Sequence, residues 1–430
     1  MKILITGQGG REHALAWSFA KDPQVSKIYI APGNGGTALE AKCVNIAYQN
    51  KEQLLKFAID NKINFTFIGA EDLLADGVVD LFKEQGLKIF GPTKKQAQLE
   101  SSKYFAKKFM QKFNIKTPAY IRFSDSQAAI NHIKSLADDD FPLIIKADGL
   151  AAGKGVIIAK NKLEASDAIK RIMVDKSFGI AGNLILIEEY LTGVEASILA
   201  LCDGDTILPL PSAKDHKRIG EGDSGENTGG MGVISPNPLL SEAQNQNFIK
   251  GVLQPTLDGI KQNNWDFVGV IFFGLMIVKD EVYLLEYNVR MGDPETQSVL
   301  MLLEEPFTKV VESAFHKNLK NFTLRIKKGY SCCVVSSSGG YPGNYKSGEL
   351  IEWENKSDNF TQETNNQKVF VAGASLKKDN HLYTSGGRVL GSVAVAPELE
   401  MAREKSLSQL AKINFKKQYF RRDIGRLPNS

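Results

Sequence analysis

The sequence predicts an α/β protein that opens with a doubly wound parallel sheet, and three observations carry that expectation. Short β-rich runs alternate with helical patterns over the first hundred residues, which is the signature of parallel strands joined by crossover helices. A glycine-bearing turn follows each of those runs. The 430 residues are 43% hydrophobic and 24% charged, values of an ordinary globular chain that exclude disordered and fibrous classes. At roughly 150 residues per domain the length predicts about three domains.

In chain order, residues 2–6, 27–31, 65–68 and 88–90 read as buried strands, and the spacing of Ala75, Val78, Val79, Leu81 and Phe82 predicts a helix between the last two. Turns follow at residues 7–10 (GQGG), 32–36 (PGNGG), 69–72 (GAED) and 91–93 (GPT). Ligands of such sheets bind at the carboxyl ends of the strands, so these loops are candidate site elements. A second region, residues 101–328, holds strands at 142–146, 156–159, 184–188 and 196–202 and a long glycine-rich loop at 219–233. Its last strands, 268–278 and 282–287, are joined so tightly that they must be antiparallel. A third region, 329–430, opens with a strand at 331–336 and carries GGYPG and SGGRVLG turns.

The net charge of +4 demands no polyanionic partner. The basic residues of the tail, among them Arg403, Arg421 and Arg422, read as a solvated helix and not as a nucleic-acid surface. The longest apolar run, 268–278, falls far below the roughly 20 residues that span a bilayer, so no membrane partner is expected. Four cysteines without CxxC spacing read as reduced thiols of a cytoplasmic protein. His132, His316 and His381 read as structural or exposed, His13 and His216 fall inside motifs without being needed as a general base, and the Cys332-Cys333 pair reads as core packing.

The loop Gly7-Gln8-Gly9-Gly10-Arg11-Glu12-His13 lies between strand and helix but is not a dinucleotide fingerprint. Its third glycine position is Glu12, and the second strand ends in Ala31-Pro32-Gly33 without an acid for a ribose hydroxyl. Backbone N–H groups at a helix start suit a monophosphate; a plain tight turn is the competing reading. A second loop runs Lys146-Ala147-Asp148-Gly149-Leu150-Ala151-Ala152-Gly153-Lys154-Gly155. It lacks the Ser/Thr and the following helix of a Walker A loop. Strand, glycine loop, strand predicts a lid over a triphosphate, with Lys146 as a fixed charge beneath it. Residues 187–191 end a strand in acceptors that suit an adenine edge, and Glu195 could accept ribose hydroxyls. Further on, Glu286 and Asn288 share one strand face, the hard-oxygen pair that a phosphate-bound magnesium ion uses, and Arg290 follows them. The 38 glycines are a mild surplus. Fifteen of them fall in four loops, where they are read as allowing close backbone approach to phosphate.

The lysine before a glycine-rich hairpin, EEYLTGVE and the terminal EYNVRMGDPE segment resemble the ATP-grasp ligases. More narrowly, GGREHALAW, APGNGGTA, KADGLAAGKGV, DHKRIGEGDSGENTGGMG, NVRMGDPETQ, GGYPGNY and GGRVL resemble the glycinamide ribonucleotide synthetase family over essentially the whole chain. Ala70, Glu226, Met291 and Ser385 depart from that family's usual text, and none removes a charge or donor the chemistry needs. The resemblance implies an ATP-grasp fold with an N-terminal Rossmann-like domain (1–100), an ATP-grasp region with a flexible lid near 121–190, and a small C-terminal α+β domain. It implies ligation of glycine to 5-phosphoribosylamine through glycyl phosphate, with ATP and Mg²⁺ or Mn²⁺, by a monomer or weak dimer. Another ATP-grasp carboxylate–amine ligase or carboxylase-like enzyme is the alternative, and a catalytically silent nucleotide- or RNA-binding protein a more distant one. It further implies Lys103, Lys146, Lys154 and Gly149, Gly153 and Gly155 on ATP phosphates, Glu188, Leu191 and Glu195 on adenosine, and Glu286 and Asn288 on the metal. Arg290 is the expected stabiliser of the transferring phosphoryl group, with Lys146 as its catalytic partner. Gly9, Gly10, Glu71, Asn227, Thr228, Gly229, Gly230 and Asp293 are expected around phosphoribosylamine, and Asp215 and Lys217 on the acceptor side.

Overall fold

The computed structural model describes residues 1–151, 155–354, 364 and 366–427. Its first sheet is parallel, with strands β1 (Lys2–Gly7), β2 (Lys27–Pro32), β3 (Cys43–Asn45), β4 (Phe65–Ile68) and β5 (Ile89–Phe90) in the order β3-β2-β1-β4-β5. The order reverses beside β1, so the loops after β1 and β4 flank a crevice. The strands read as continuous apolar runs because helices cover both faces: β4 is buried at every position. The helix expected around residues 75–82 is two helices, Glu71–Asp76 and Val78–Glu84. Gly77 divides them in a left-handed conformation, φ 85°, which only glycine adopts cheaply.

Strands β6 (Tyr120–Phe123), β7 (Leu143–Ala147), β8 (Val156–Ala159) and β9 (Ile185–Glu189) form a separate antiparallel sheet in the order β6-β9-β7-β8. That sheet has its own core, in which Ile145, Ile169, Ile172 and Ile185 are fully buried. A further sheet runs β11-β10-β16-β17, built from β10 (Val194–Cys202), β11 (Ile207–Pro209), β16 (Gly269–Val278) and β17 (Glu281–Asn288). The β16–β17 hairpin is antiparallel as expected, its turn made by Lys279 at φ 57°.

The glycine-rich stretch 219–233 is not all loop. Between β12 (Lys214–Asp215) and β15 (Gly232–Ser235) it contains the two-stranded hairpin β13 (Arg218–Gly220) and β14 (Ser224–Asn227). Strands β12 and β15 join a sheet whose other members lie beyond residue 329: β18 (Tyr330–Ser337), the strand Arg388–Ala396 and the strand Gln367–Val371. One hydrophobic core accordingly combines Ile3, Phe67, Val233, Met291, Cys333 and Phe370. The tail is not a wholly solvated basic helix either. Its helix is Leu399–Leu410, Arg403 is buried, and Arg421 is fully buried with its guanidinium on Asp223 and Asp423. Among the described residues no helix is long and apolar enough to cross a membrane.

Candidate active site

Strand β17 places Glu286 opposite Gly274 and Asn288 opposite Phe272, on the same face. Gly274 leaves room for the acid, since an added Cβ would lie 3.2 Å from Glu286 Cγ. Burial opposes the charge of Glu286, but Lys146, Lys217, Lys103 and Arg290 hold its carboxyl below the usual range. One carboxylate thus gathers the field of four cations that the sequence places far apart. Among the described residues the Glu286 side chain makes no hydrogen bond or ion pair, so its carboxylate oxygens remain available as hard ligands.

Arg290 follows at the end of the strand. Its Nη2 lies 3.0 Å from Glu100 Oε1 and 3.4 Å from Asn288 Oδ1, and its Nε lies 3.4 Å from Glu71 Oε2. Glu100 also accepts from the Val289 N–H at 2.8 Å. Burial raises the Glu100 carboxyl despite Arg290, whereas at Glu71 the two arginines, Arg290 and Arg11, overcome the burial cost and lower it. Glu71 therefore reaches the centre through Arg290. Glu100 was not foreseen; its only sequence signal is its place in the short helix before Lys103.

On the nucleotide side, Lys146 ends β7 with its Nζ 2.9 Å from Glu188 Oε2. The same oxygen lies 3.1 Å from Lys107 Nζ. Glu188 is thus a buried counter-ion to two lysines through Oε2, while its Oε1 is buried without a hydrogen-bond partner among the described residues. Lys103 Nζ donates to Gly149 O at 3.0 Å, and Asp148 accepts from the Tyr104 N–H at 3.0 Å and from Ser102 Oγ at 3.2 Å. These bonds tie the start of the glycine loop to the N-terminus of helix Lys103–Lys112. Gly149 has φ 154° and packs on Ala181, while Gly155 O accepts from the Ala147 N–H at 2.8 Å. Gly153 and Lys154 lie outside the described residues. Leu191 is half-buried in the link from β9 to β10. Glu195, exposed at the start of β10, pairs with Lys217 at 3.2 Å, so both carry a partner within the protein.

On the acceptor side, Asp215 presents a buried Oδ1 with no hydrogen-bond partner among the described residues. Burial, with nearby Glu295, drives its carboxyl well above the ordinary value. Gly230, at φ 112°, approaches this oxygen closely: an added Cβ would lie 2.7 Å from it. Thr228 is fixed by its N–H and its hydroxyl on Lys217 O at 2.7 and 2.8 Å, and Asn227 pairs with Arg218 in the hairpin. Arg388, at the start of the strand Arg388–Ala396, donates to Gly229 O at 2.6 Å and to Asp293 O at 2.7 Å. It thereby joins two of the expected substrate residues to the third region. Burial would raise the Asp293 carboxyl, but Arg388 and Arg11 lower it.

At the first loop the Gly9 N–H donates to Glu12 Oε2 at 2.6 Å, which fixes the turn into helix Gly10–Ala20. Gly9 and Gly10 are glycines because neighbours approach them: an added Cβ would lie 2.9 Å from Asp293 Oδ2 at Gly9 and 2.5 Å from Gln297 Nε2 at Gly10.

Three family models tile the chain: phosphoribosylglycinamide synthetase N domain over 1–100, its ATP-grasp (A) domain over 101–296 and its C domain over 331–427. The chain belongs to the phosphoribosylglycinamide synthetase family. A phosphoribosylamine–glycine ligase of Clostridium acetobutylicum is 49% identical over 428 residues, covering 99% of this chain and 100% of that protein. The crystal structure of phosphoribosylamine–glycine ligase from Thermotoga maritima superposes with TM-score 0.84 at 32% identity, covering 99% and 100% of the two chains. A biotin carboxylase of Campylobacter jejuni, at TM-score 0.75 but 14% identity over 99% and 94%, shares the ATP-grasp fold alone. Membership in the synthetase family, and not the shared fold, separates this chain from the carboxylases.

Proposed function

We propose that this chain ligates glycine to 5-phosphoribosylamine with ATP, giving glycinamide ribonucleotide, ADP and phosphate in purine biosynthesis. The single observation that carries the chemistry is the ionised, unpartnered Glu286 facing three lysines and Arg290. A site that activates a carboxylate with ATP must collect cations around a phosphoryl group and leave a hard-oxygen ligand free for its metal. Glu286 and Asn288 fit a divalent ion of the magnesium class, which binds few protein oxygens and takes the rest of its shell from phosphates and water. Held there, such an ion supplies neutralisation of the phosphate charge.

The chain's own groups do the remaining work by position and charge. Lys146 and Lys103 lie along the β7 loop to hold the ATP phosphates. Arg290, steadied by Glu100 and Glu71, presents its guanidinium where glycine's carboxylate takes the γ-phosphoryl group. The amine of phosphoribosylamine then attacks the acyl carbon, the acyl–oxygen bond breaks, and the amine proton leaves with phosphate. Asp215, Lys217 and residues 227–230 border that amine, with Gly9, Gly10 and Asp293 on the sugar-phosphate side. The sheet β6–β9 excludes water from an acyl phosphate that water would hydrolyse. The four cysteines are free thiols, which supports a reducing, cytoplasmic setting.

ADP release measured with glycine and freshly made phosphoribosylamine, each omitted in turn, tests the reaction. Full release requires both, and bicarbonate replaces neither. Arg290→Ala should lower the rate by about 100-fold or more while ATP still binds, the loss seen when one transition-state donor is removed. An unimpaired rate removes Arg290 from the chemistry.

A further inference from the structure

A buried charge cluster lies behind the nucleotide loop, and one of its members has no part in the reaction as described. Lys107, on helix Lys103–Lys112, is 2% exposed. Its Nζ lies 3.1 Å from Glu188 Oε2 on β9, 2.7 Å from Thr117 Oγ1 and 3.4 Å from Pro118 O. Glu188 is 1% exposed, and the same Oε2 is 2.9 Å from Lys146 on β7. Thr117 Oγ1 in turn donates to Leu284 O at 2.7 Å, on the strand that carries Glu286 and Asn288. The Tyr120 ring of β6 packs 5.5 Å from the ammonium, and Glu189 adds a more distant negative field. One lysine therefore links the metal-side strand, the helix and two strands of the separate sheet.

We propose that Lys107 is a positioning residue for nucleotide binding: it fixes Glu188, and through Glu188 it aims the Lys146 ammonium at the phosphates. The proposal rests on the ATP-binding assignment above. Two lysines on one carboxylate oxygen cannot both be fully neutralised, so the cluster keeps a net positive charge when all three are ionised. Without Lys107, Glu188 has Lys146 alone as its counter-ion, and a buried carboxylate in a weakly polar interior holds its single partner tightly. Lys146 is then drawn from the phosphates toward Glu188. With Lys107 in place, Glu188 is shared, and Lys146 retains charge for the nucleotide. Burial pulls the Lys107 ammonium down to about 8, against the attraction of Glu188. The clamp is therefore charged at neutral pH and released in mild alkali.

Binding of Mg-ATP without glycine, together with KM and kcat for the full reaction, tests this on the whole chain. Lys107→Met should weaken ATP binding and raise the ATP KM about tenfold or more, with a smaller change in kcat, in the range of coupling within one buried network. Lys107→Arg, which keeps the charge, should recover most of the affinity. The double variant Lys107→Met/Glu188→Gln should bind ATP no worse than Glu188→Gln alone, because Lys107 acts through Glu188. Wild-type affinity should fall as pH rises through about 8, and Lys107→Arg should remove that limb. Wild-type ATP affinity in Lys107→Met, or a defect that adds in full to that of Glu188→Gln, overturns the proposal. If Lys107→Met does not fold, a flat wild-type ATP-binding profile between pH 7 and 9 overturns it. A wild-type protein that binds no Mg-ATP refutes the ligase assignment instead, so the two failures are distinguishable.

Discussion

The carboxylate of Glu12 explains three glycines at once. It accepts from the Gly9 N–H, and a Cβ added at Gly7 or Gly69 would run into its side chain. A pattern such as GQGG announces that something comes close to the backbone, but not what. Here the neighbours are side chains of the chain itself: Glu12, Asp293 and Gln297 at the first loop, Asn45 at Gly33, His13 and Val371 at Gly36, Arg388 at Gly229. Most of these partners lie tens to hundreds of residues away, so the surplus of glycine was legible while its cause was not. Arg290, Glu286 and Asn288 were legible because a strand's two-residue period puts them together locally. Gly69→Ala makes the argument measurable. Its Cβ would lie 2.5 Å from Thr6 O, a backbone atom that no rotamer change can move, and would strike Glu12 as well. The expected cost is about 1–3 kcal/mol of unfolding free energy, typical of overpacking. Gly251→Ala, in helical backbone with nothing within 4 Å of the added Cβ, should be neutral or stabilising by about 0.5–1 kcal/mol. Chemical denaturation of the two variants side by side reads the difference; equal midpoints would refute the crowding argument.

Elements with local partners follow directly from the sequence, and those with distant partners do not. The β16–β17 hairpin needs only a two-residue turn between apolar runs. The β13–β14 hairpin escaped because every residue of β14 is exposed, so no apolar alternation marks it. Likewise β15 reads as the end of a loop, although Val233 is paired with Cys333 a hundred residues later. The sheet β6-β9-β7-β8 lies between these cases. Strands β7, β8 and β9 are visible one by one, β6 is not because none of its residues is buried, and the order, with β9 between β6 and β7, is set by side chains of a core shared with no other sheet. That independence can be tested at Ile145, fully buried in β7 between Ile157 of β8 and Ile187 of β9. Ile145→Ala leaves a cavity costing about 2–5 kcal/mol. Because the sheet has its own core, hydrogen exchange should quicken within residues 120–189 and leave β1 and β4 protected. Loss of protection spread evenly over both sheets would show that the two cores unfold as one.

At the scale of the whole molecule, two buried histidines fasten the third region to the rest, and both do so as neutral rings. His13 Nδ1 accepts from the Val371 N–H at 2.8 Å while its Nε2 lies 3.2 Å from Glu40 Oε2, which also takes Lys368 Nζ at 2.9 Å. His216 Nδ1 lies 3.2 Å from Gly232 O, and its Nε2 accepts from the Gly425 N–H at 3.4 Å. A proton on either accepting nitrogen would point at a backbone donor, so protonation breaks the contact. Burial, joined by Lys214, pushes His216 down to about 4, and burial lowers His13 as well. A histidine whose folded value lies below its unfolded value of about 6.5 stabilises the fold fully above that pH. Its contribution drains away as pH falls toward the folded value, because the unfolded chain binds more protons. Glu40, held down to about 2 by His13 and Lys368 against its burial cost, continues the loss in the same direction at lower pH. Stability should therefore be level near pH 7 to 8 and fall between pH 6.5 and 4, with about 3 kcal/mol lost through His216 alone by pH 4. Calorimetry over that range on wild type and His216→Gln checks it. The variant starts from a lower midpoint at pH 7 but should decline less steeply, since it carries no titrating ring at that contact. Parallel declines in the two proteins would mean that acid opens the molecule elsewhere and that His216 is not the fastening that fails.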